Sequence, residues 1–289
     1  MNVQHFFDSD TYTLTYVVFD ENTKDGILID PVLDFDPSSG HISTKSLQRA
    51  INFLQTKQIN LRAILETHVH ADHLSGSQAL KKQFPNAILC VGERIKIIQE
   101  VFQRHFNLPA LKTDGSQFDH LFSDFEKVSF GSISVEALPT PGHTPACMSY
   151  LIGSLLFTGD ALFMPDYGTG RCDFPKGSAK ELYASVTKNL YTLPEQTRVF
   201  VGHDYLPNGR AMEFETTIGK SKRDNIQLSE LTREADYIAF RENRDKGLTA
   251  PRLLLPSIQV NINAGILPEP ESNGTTYLKL PLQFILEKP

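Results

Sequence analysis

The chain has 289 residues, with 28 Lys and Arg against 34 Asp and Glu, and an apolar fraction of 40%. Such values exclude disordered, collagenous and low-complexity chains and allow a large core in one big domain or two modest ones. The net charge of −6 argues against a nucleic-acid binder, which needs a basic face, and no apolar stretch approaches the roughly 20 residues of a membrane helix.

The N-terminus, Met1 to Asp8, has no basic n-region and no apolar h-region, so no signal peptide is expected. Leu14 to Phe19 and Gly26 to Asp30 read as strands. Ser46 to Gln58 carries Leu47, Ala50, Ile51 and Leu54 at helical spacing. Arg62 to Glu66 reads as a buried strand that runs into a histidine-rich loop. Ser77 to Gln83 and Glu93 to Phe102 are expected helices, with a strand at Ala87 to Val91 between them. This alternation predicts helices layered on a sheet.

Further along, Ile133, Val135 and Ala137 alternate with polar residues as in a half-buried strand. Met148 to Ile152 and Leu155 to Thr158 flank Gly153-Ser154 as a hairpin. Ser178 and Glu181 form a capping box before a helix with Leu182, Val186 and Leu190 on one face. Arg198 to Gly202 is a strand ending at a histidine. A single helix is expected from Glu230 to Asp245, closed by Gly247, and then an extended, proline-rich tail. Residues 1–210 are read as the main domain, with the helix and tail of 211–289 packed on it.

The three cysteines, Cys90, Cys147 and Cys172, are odd in number and widely spaced, which excludes a disulfide framework and a thiolate zinc finger. A reducing, cytoplasmic compartment is expected. Cys90 reads as a core residue. Cys172 follows Arg171, whose charge could lower its pKa, although a packed small side chain is the plainer reading.

The histidines carry the functional signal. Directly after a strand stands Thr67-His68-Val69-His70-Ala71-Asp72-His73. Three imidazoles and a carboxylate so close together are costly in a core unless they face one cation. His68 and His70 are two apart, so an extended segment puts them on the same side, while Asp72 and His73 can reach a second position. His143 in Pro141-Gly142-His143, Asp160 after Thr158-Gly159, and His203 before Asp204 each end an apolar strand or a rigid turn, where ligands gather.

These residues, in this order, resemble the metallo-β-lactamase superfamily over residues 12 to 205. The resemblance implies a four-layer αββα sandwich of the α/β (α+β) class, with a metal site at one sheet edge and a short C-terminal extension. Within that superfamily, Gly168-Thr-Gly-Arg171-Cys-Asp-Phe174 and His203-Asp204-Tyr205 are similar to stretches of the persulfide (sulfur) dioxygenases. The tail, with Pro251-Arg252-Leu253 and Val260-Asn261, resembles bacterial β-lactamase-like hydrolases of sulfide-detoxification operons.

The implied metal ligands are His68, His70, His143 and Asp160, with Asp72, His73 and His203 at a second site or orienting the first. The resemblance implies one Fe(II) per chain on His68, His143 and Asp160, with zinc as the alternative. The implied reaction oxidises a persulfide of glutathione type to sulfite with O2. Asp72, His73 and Tyr205 are the candidate catalytic groups; Arg171, Tyr205 and Arg210, with Lys176 behind them, are the candidates for gripping substrate. No nucleic acid or membrane partner is expected, and a homodimer is left open. The rival is a glyoxalase II-like zinc thioester hydrolase, which shares the ligand set but has a helical C-terminal domain. A non-catalytic metal or persulfide sensor ranks last, for want of a reactive cysteine pair.

Overall fold

Successive side chains on a strand point to opposite faces, so one sheet can serve two cores. The computed structural model describes residues 1–282. In it Leu14, Tyr16 and Val18 of β2 (Thr13–Phe19) enter one core while Val17 and Phe19 enter another. β2 belongs to a six-stranded sheet with β1 (Asn2–Asp8), β3 (Asp25–Ile29), β6 (Asn60–Leu65), β8 (Ile88–Gly92) and β9 (His120–Phe122). A second six-stranded sheet runs in chain order through β10 (Lys127–Phe130), β11 (Ile133–Pro139), β12 (Met148–Ile152), β13 (Leu155–Phe157), β14 (Arg198–Phe200) and β15 (Glu215–Thr217). The short strands β4 (Val32–Asp36), β5 (His41–Ser43) and β7 (Leu74–Ser75) make a third sheet.

Helices cover the outer faces. α1 (Lys45–Thr56), α2 (Ser77–Gln83) and α3 (Ile95–His105) bury Leu47, Leu54, Leu80 and Ile98 on the first sheet, joined there by Ile258 of α7 (Leu254–Asn261). α4 (Ala179–Ser185) and the π-helical turn Val186–Leu190 put Leu182, Val186 and Leu190 into the core of the second sheet. Each such side chain contributes about 1.5–3 kcal/mol by leaving water. The four-layer αββα class expected from the sequence is the class observed.

The C-terminal part departs from expectation. The helix expected from Glu230 to Asp245 is present as α6 (Glu234–Asp245), but it is flanked by two helices that were not expected, α5 (Ile218–Asp224) and α7. α7 was hidden because it is buried almost all round, which erases the helical period, and because it holds Pro256. Proline in a first turn removes no hydrogen bond and is tolerated. A helical C-terminal region therefore no longer separates this chain from a thioester hydrolase. The expected tail is irregular from Ile262 to Leu282, and its last residues lie outside the described ones. No helix among the described residues is long and apolar enough to cross a membrane.

Both sheets end at one edge, where they are stitched together. Leu14 N donates to Gly202 O at 2.9 Å and Met148 N to Thr67 O at 2.8 Å. The Tyr150 hydroxyl donates to Glu66 O at 2.8 Å. The loop after β6, the β11–β12 turn and the ends of β13 and β14 open onto this edge, carrying residues 66–73, His143, Asp160 and His203.

Candidate metal centre

Two glycines let these loops meet. Gly142 has φ +145°, and a Cβ there would sit 2.5 Å from the Leu182 backbone. Gly159 has φ +48°, and its Cβ would sit 2.6 Å from Thr67 Oγ1. Both conformations favour glycine, and both bring the neighbouring ligand close.

The donor atoms of His68, His143 and Asp160 lie within 4.8 Å of one another, and so do those of His70, Asp72 and His203. A third group, Asp30, Glu66 and His70, lies behind the second. His73 belongs to none of these trios, although its ring is 4.3 Å from that of His70.

Hydrogen bonds fix which nitrogen of each ring is free. His143 Nδ1 donates to Arg171 O at 2.6 Å, His203 Nδ1 to Tyr12 O at 3.2 Å and His73 Nδ1 to Leu74 O at 3.0 Å. A carbonyl can only accept, so each Nδ1 carries its proton and each neutral ring keeps a lone pair on Nε2. At His68 the same result comes through a relay. Thr67 Oγ1 gives its proton to Asp30 Oδ2 at 2.8 Å and so accepts from His68 Nδ1 at 3.0 Å. His70 is turned the other way: Nε2 faces Asp30 Oδ1 at 3.0 Å and Glu66 Oε2 at 3.6 Å.

The atoms left over are the test of fit for a cation. His68 Nε2, His70 Nδ1, His73 Nε2 and Asp160 Oδ1 are buried without a hydrogen-bond partner. A buried polar atom left bare costs about 1–3 kcal/mol. His68 Nε2, His73 Nε2 and Asp160 Oδ1 offer lone pairs at one edge that suit a transition-metal cation, and His70 Nδ1 does so once its ring loses a proton.

Burial pushes His68 well below the ordinary histidine range, helped by the neighbouring imidazoles, and pushes His73 down to about 4. Burial also opposes the charge of His70, yet Asp30 and Glu66 hold that ring up to about 10. Glu66 is itself raised by burial to about 7. Asp72 is held at about 2 by His203, His73 and His70, against the effect of burial.

A cleft of about 360 Å³ reaches Asp72 and Asp160, with Phe163 and Tyr205 in its wall. The Tyr205 ring lies parallel to His203, with centroids 5.3 Å apart. A smaller opening of about 280 Å³ reaches His143 between Ala71, Phe174 and Pro251. Arg171 stands between the two. Its guanidinium is already engaged, with Asp173 at 2.5 Å and with Thr249 O at 2.8 Å.

Arg210 is placed away from both openings. Its fork holds Asp166 at 2.6 Å and Asp204 at 2.7 Å, so it steadies the backbone after His203 instead of reaching substrate. Lys176 is exposed outside both openings as well. Cys172 differs from the reading that Arg171 lowers its pKa: burial pushes the thiol up. Cys147 is likewise pushed up, to about 12.

Sequence reasoning missed the acids behind His70, Asp30 and Glu66, although each ends an apolar strand as Asp160 does. It also missed Arg244 and Arg252. Both line the larger cleft, and neither has a carboxylate partner within 4.0 Å among the described residues. An isolated arginine in a loop or at a helix end carries no sequence signal for a cleft.

Comparison with known proteins agrees with this geometry. The family model described as the metallo-β-lactamase superfamily matches residues 9–203. A probable metallo-hydrolase of Burkholderia pseudomallei is 46% identical over 99% of this chain and all of its own length. The protein named Glyoxylase B2 of Dictyostelium discoideum is 45% identical over 98% of this chain and 97% of its own. The human mitochondrial persulfide dioxygenase ETHE1 is 32% identical over 70% of this chain and 68% of its own. The crystal structure of ETHE1 from Myxococcus xanthus superposes with a TM-score of 0.74 at 32% identity, covering 92% of this chain and 100% of that one.

Proposed function

The chain belongs to the metallo-β-lactamase superfamily, and from that premise we propose that it is a non-haem iron(II) dioxygenase acting on a low-molecular-weight persulfide. Persulfide, O2 and water would give the parent thiol, sulfite and two protons. The observation that carries the reading is the trio His68, His143 and Asp160, two imidazoles and one carboxylate grouped together, with Asp160 lining the larger cleft and His143 the smaller opening. The likeness to ETHE1 in sequence and structure supports it.

Iron(II) on that trio would supply the redox step between O2 and sulfur that no side chain can perform. The chain does the rest. Arg171 O and the Thr67 hydroxyl hold the His143 and His68 rings with their lone pairs inward. Asp72, ionised and open to the cleft, can accept a hydrogen bond from the water that releases sulfite and so orient it. His73, His70 and His203 orient this centre. Arg244 and Arg252 supply positive charge for the carboxylates of a glutathione-type thiol, the role sequence reading gave to Arg171 and Arg210. Tyr205 in the cleft wall is placed to donate to the substrate. Three buried, unpaired thiols fit a reducing, cytoplasmic compartment.

A second reading, a zinc thioester hydrolase, is favoured by the names of the relatives at 45% and 46% identity. One experiment separates the two. Protein loaded anaerobically with iron(II) is given glutathione persulfide in one cell and S-lactoylglutathione in another. The proposal expects O2 uptake with one sulfite formed per O2, and little hydrolysis. Rapid hydrolysis with no O2 uptake would replace it by the hydrolase.

A further inference from the structure

We propose that Asn261 is a positioning residue of the metal centre, holding the His70–Ser75 loop, which carries the groups His70, Asp72 and His73 beside the metal trio, in the shape the centre needs. Asn261 lies on α7, far beyond the span that the family model matches. Its side-chain Nδ2 donates to His70 O and to His73 O, both at 2.8 Å. Its Oδ1 accepts from Ser75 N, also at 2.8 Å. One buried carboxamide thus makes three hydrogen bonds to three residues of a single loop, using both protons and one lone pair.

The loop needs such support. Residues 66–73 have no regular structure. Neither His70 O nor His73 O receives a backbone N–H among the described residues. Without Asn261 two buried carbonyls would stand bare, at a cost comparable to lost hydrogen bonds. The loop would relax by turning those peptide planes, and the planes set the direction of the His70 and His73 side chains. Asn261 itself cannot drift, because Ile258 and Ile262 anchor this stretch in the core. A second grip converges on the same imidazole: the Ser75 and Ser77 hydroxyls bind Glu66 Oε1, while Glu66 Oε2 faces His70. The C-terminal segment is therefore part of the metal centre although it contributes no ligand.

Gln259 provides a matched control on the same helix. It also makes three hydrogen bonds of 2.8 Å, to Leu255 O and to the Lys279 backbone, and none to the loop. The test measures zinc affinity of the full chain by competition with a chromogenic chelator, and the visible spectrum of the cobalt(II)-loaded protein. Asn261→Ala and Asn261→Asp should each weaken zinc by about ten- to hundredfold, the usual effect of losing a group that orients a ligand, and should shift the cobalt bands. Gln259→Ala should lower the melting temperature while leaving affinity and spectrum as in the parent. Asn261→Asp keeps the side-chain volume, so it carries the test if the alanine variant does not fold. Parental affinity in both Asn261 variants, or an equal loss in Gln259→Ala, overturns the proposal. No persulfide or O2 enters the measurement, so its outcome is independent of the reaction assigned to the enzyme.

Discussion

The two trios of ligand atoms differ in what stands behind them. Behind His68 and His143 are a hydroxyl and a carbonyl, which orient the rings without charging them. Burial keeps His68 neutral at any pH near 7, so it offers a lone pair. Behind His70 are two carboxylates, Asp30 and Glu66, and they hold a proton on the ring up to about pH 10 against the effect of burial. A cation entering the first trio displaces no proton from His68. One entering the second must first expel the proton of His70, and affinity falls accordingly. On the function proposed above, with iron(II) on the first trio, the second trio would supply fixed charge and proton-holding groups beside it.

The largest expected effect separates the trios directly. His143→Ala should leave almost no iron bound and no measurable O2 uptake. His203→Ala should keep close to one iron per chain and lose activity by about ten- to hundredfold, as expected for a group that orients without binding. Metal analysis alongside an oxygen electrode reads both. A fall from two metals to one in His203→Ala would make the second trio a binding site and end the contrast.

A smaller effect tests the charge on His70 in metal-free protein. Its folded pKa of about 10 lies above the unfolded value near 6.5. The folded state therefore binds the proton more tightly, and that stability is complete below pH ~6.5 and lost as pH rises towards 10. Glu66, raised to about 7, loses stability with rising pH below that window, while His73, lowered to about 4, gains it there. The buried thiols add their own loss above pH ~8.5. Between about pH 7 and 8.5 the slope is thus mainly that of His70, on the order of a few kcal/mol over its whole range. Chemical denaturation across this window should show stability falling in the parent and nearly flat in Asp30→Asn. An equal slope in both would take the proton off His70.

What the sequence revealed and what it hid follow the same division. The ligands of the first trio are legible because histidines and an aspartate at strand ends break an apolar pattern, as His68, His143 and Asp160 do. The sheets and most helices show through their periods, with Leu47 to Leu54 as a clear case. Asp30 and Glu66 looked like strand termini, since nothing local says that a carboxylate faces a histidine on another element. α7 was hidden because it is buried, period-free and contains proline, so Asn261, noticed only within the resemblance of the tail, was given no role. Arg171 was legible as a residue but not in its bonding, which depends on Asp173 and on a loop 78 residues away in sequence.

The smallest effect asks whether the second trio faces the substrate through Tyr205. The ring stacks on His203 and its edge lies in the cleft. Tyr205→Phe keeps the stack and removes only the hydroxyl. One neutral hydrogen bond is worth about 0.5–1.5 kcal/mol, so kcat/KM for the persulfide should fall roughly two- to twelvefold with iron content unchanged. Tyr205→Ala also removes the stack, worth a further ~0.5–1.5 kcal/mol, and frees His203 to turn. It should therefore fall further and approach His203→Ala. If Tyr205→Phe already matched His203→Ala, the hydroxyl would be acting on the ligand side, and the second trio would not be separable from the substrate wall. If Tyr205→Phe were indistinguishable from the parent, the substrate would touch only the arginine side of the cleft, and His203 would serve the metal centre alone.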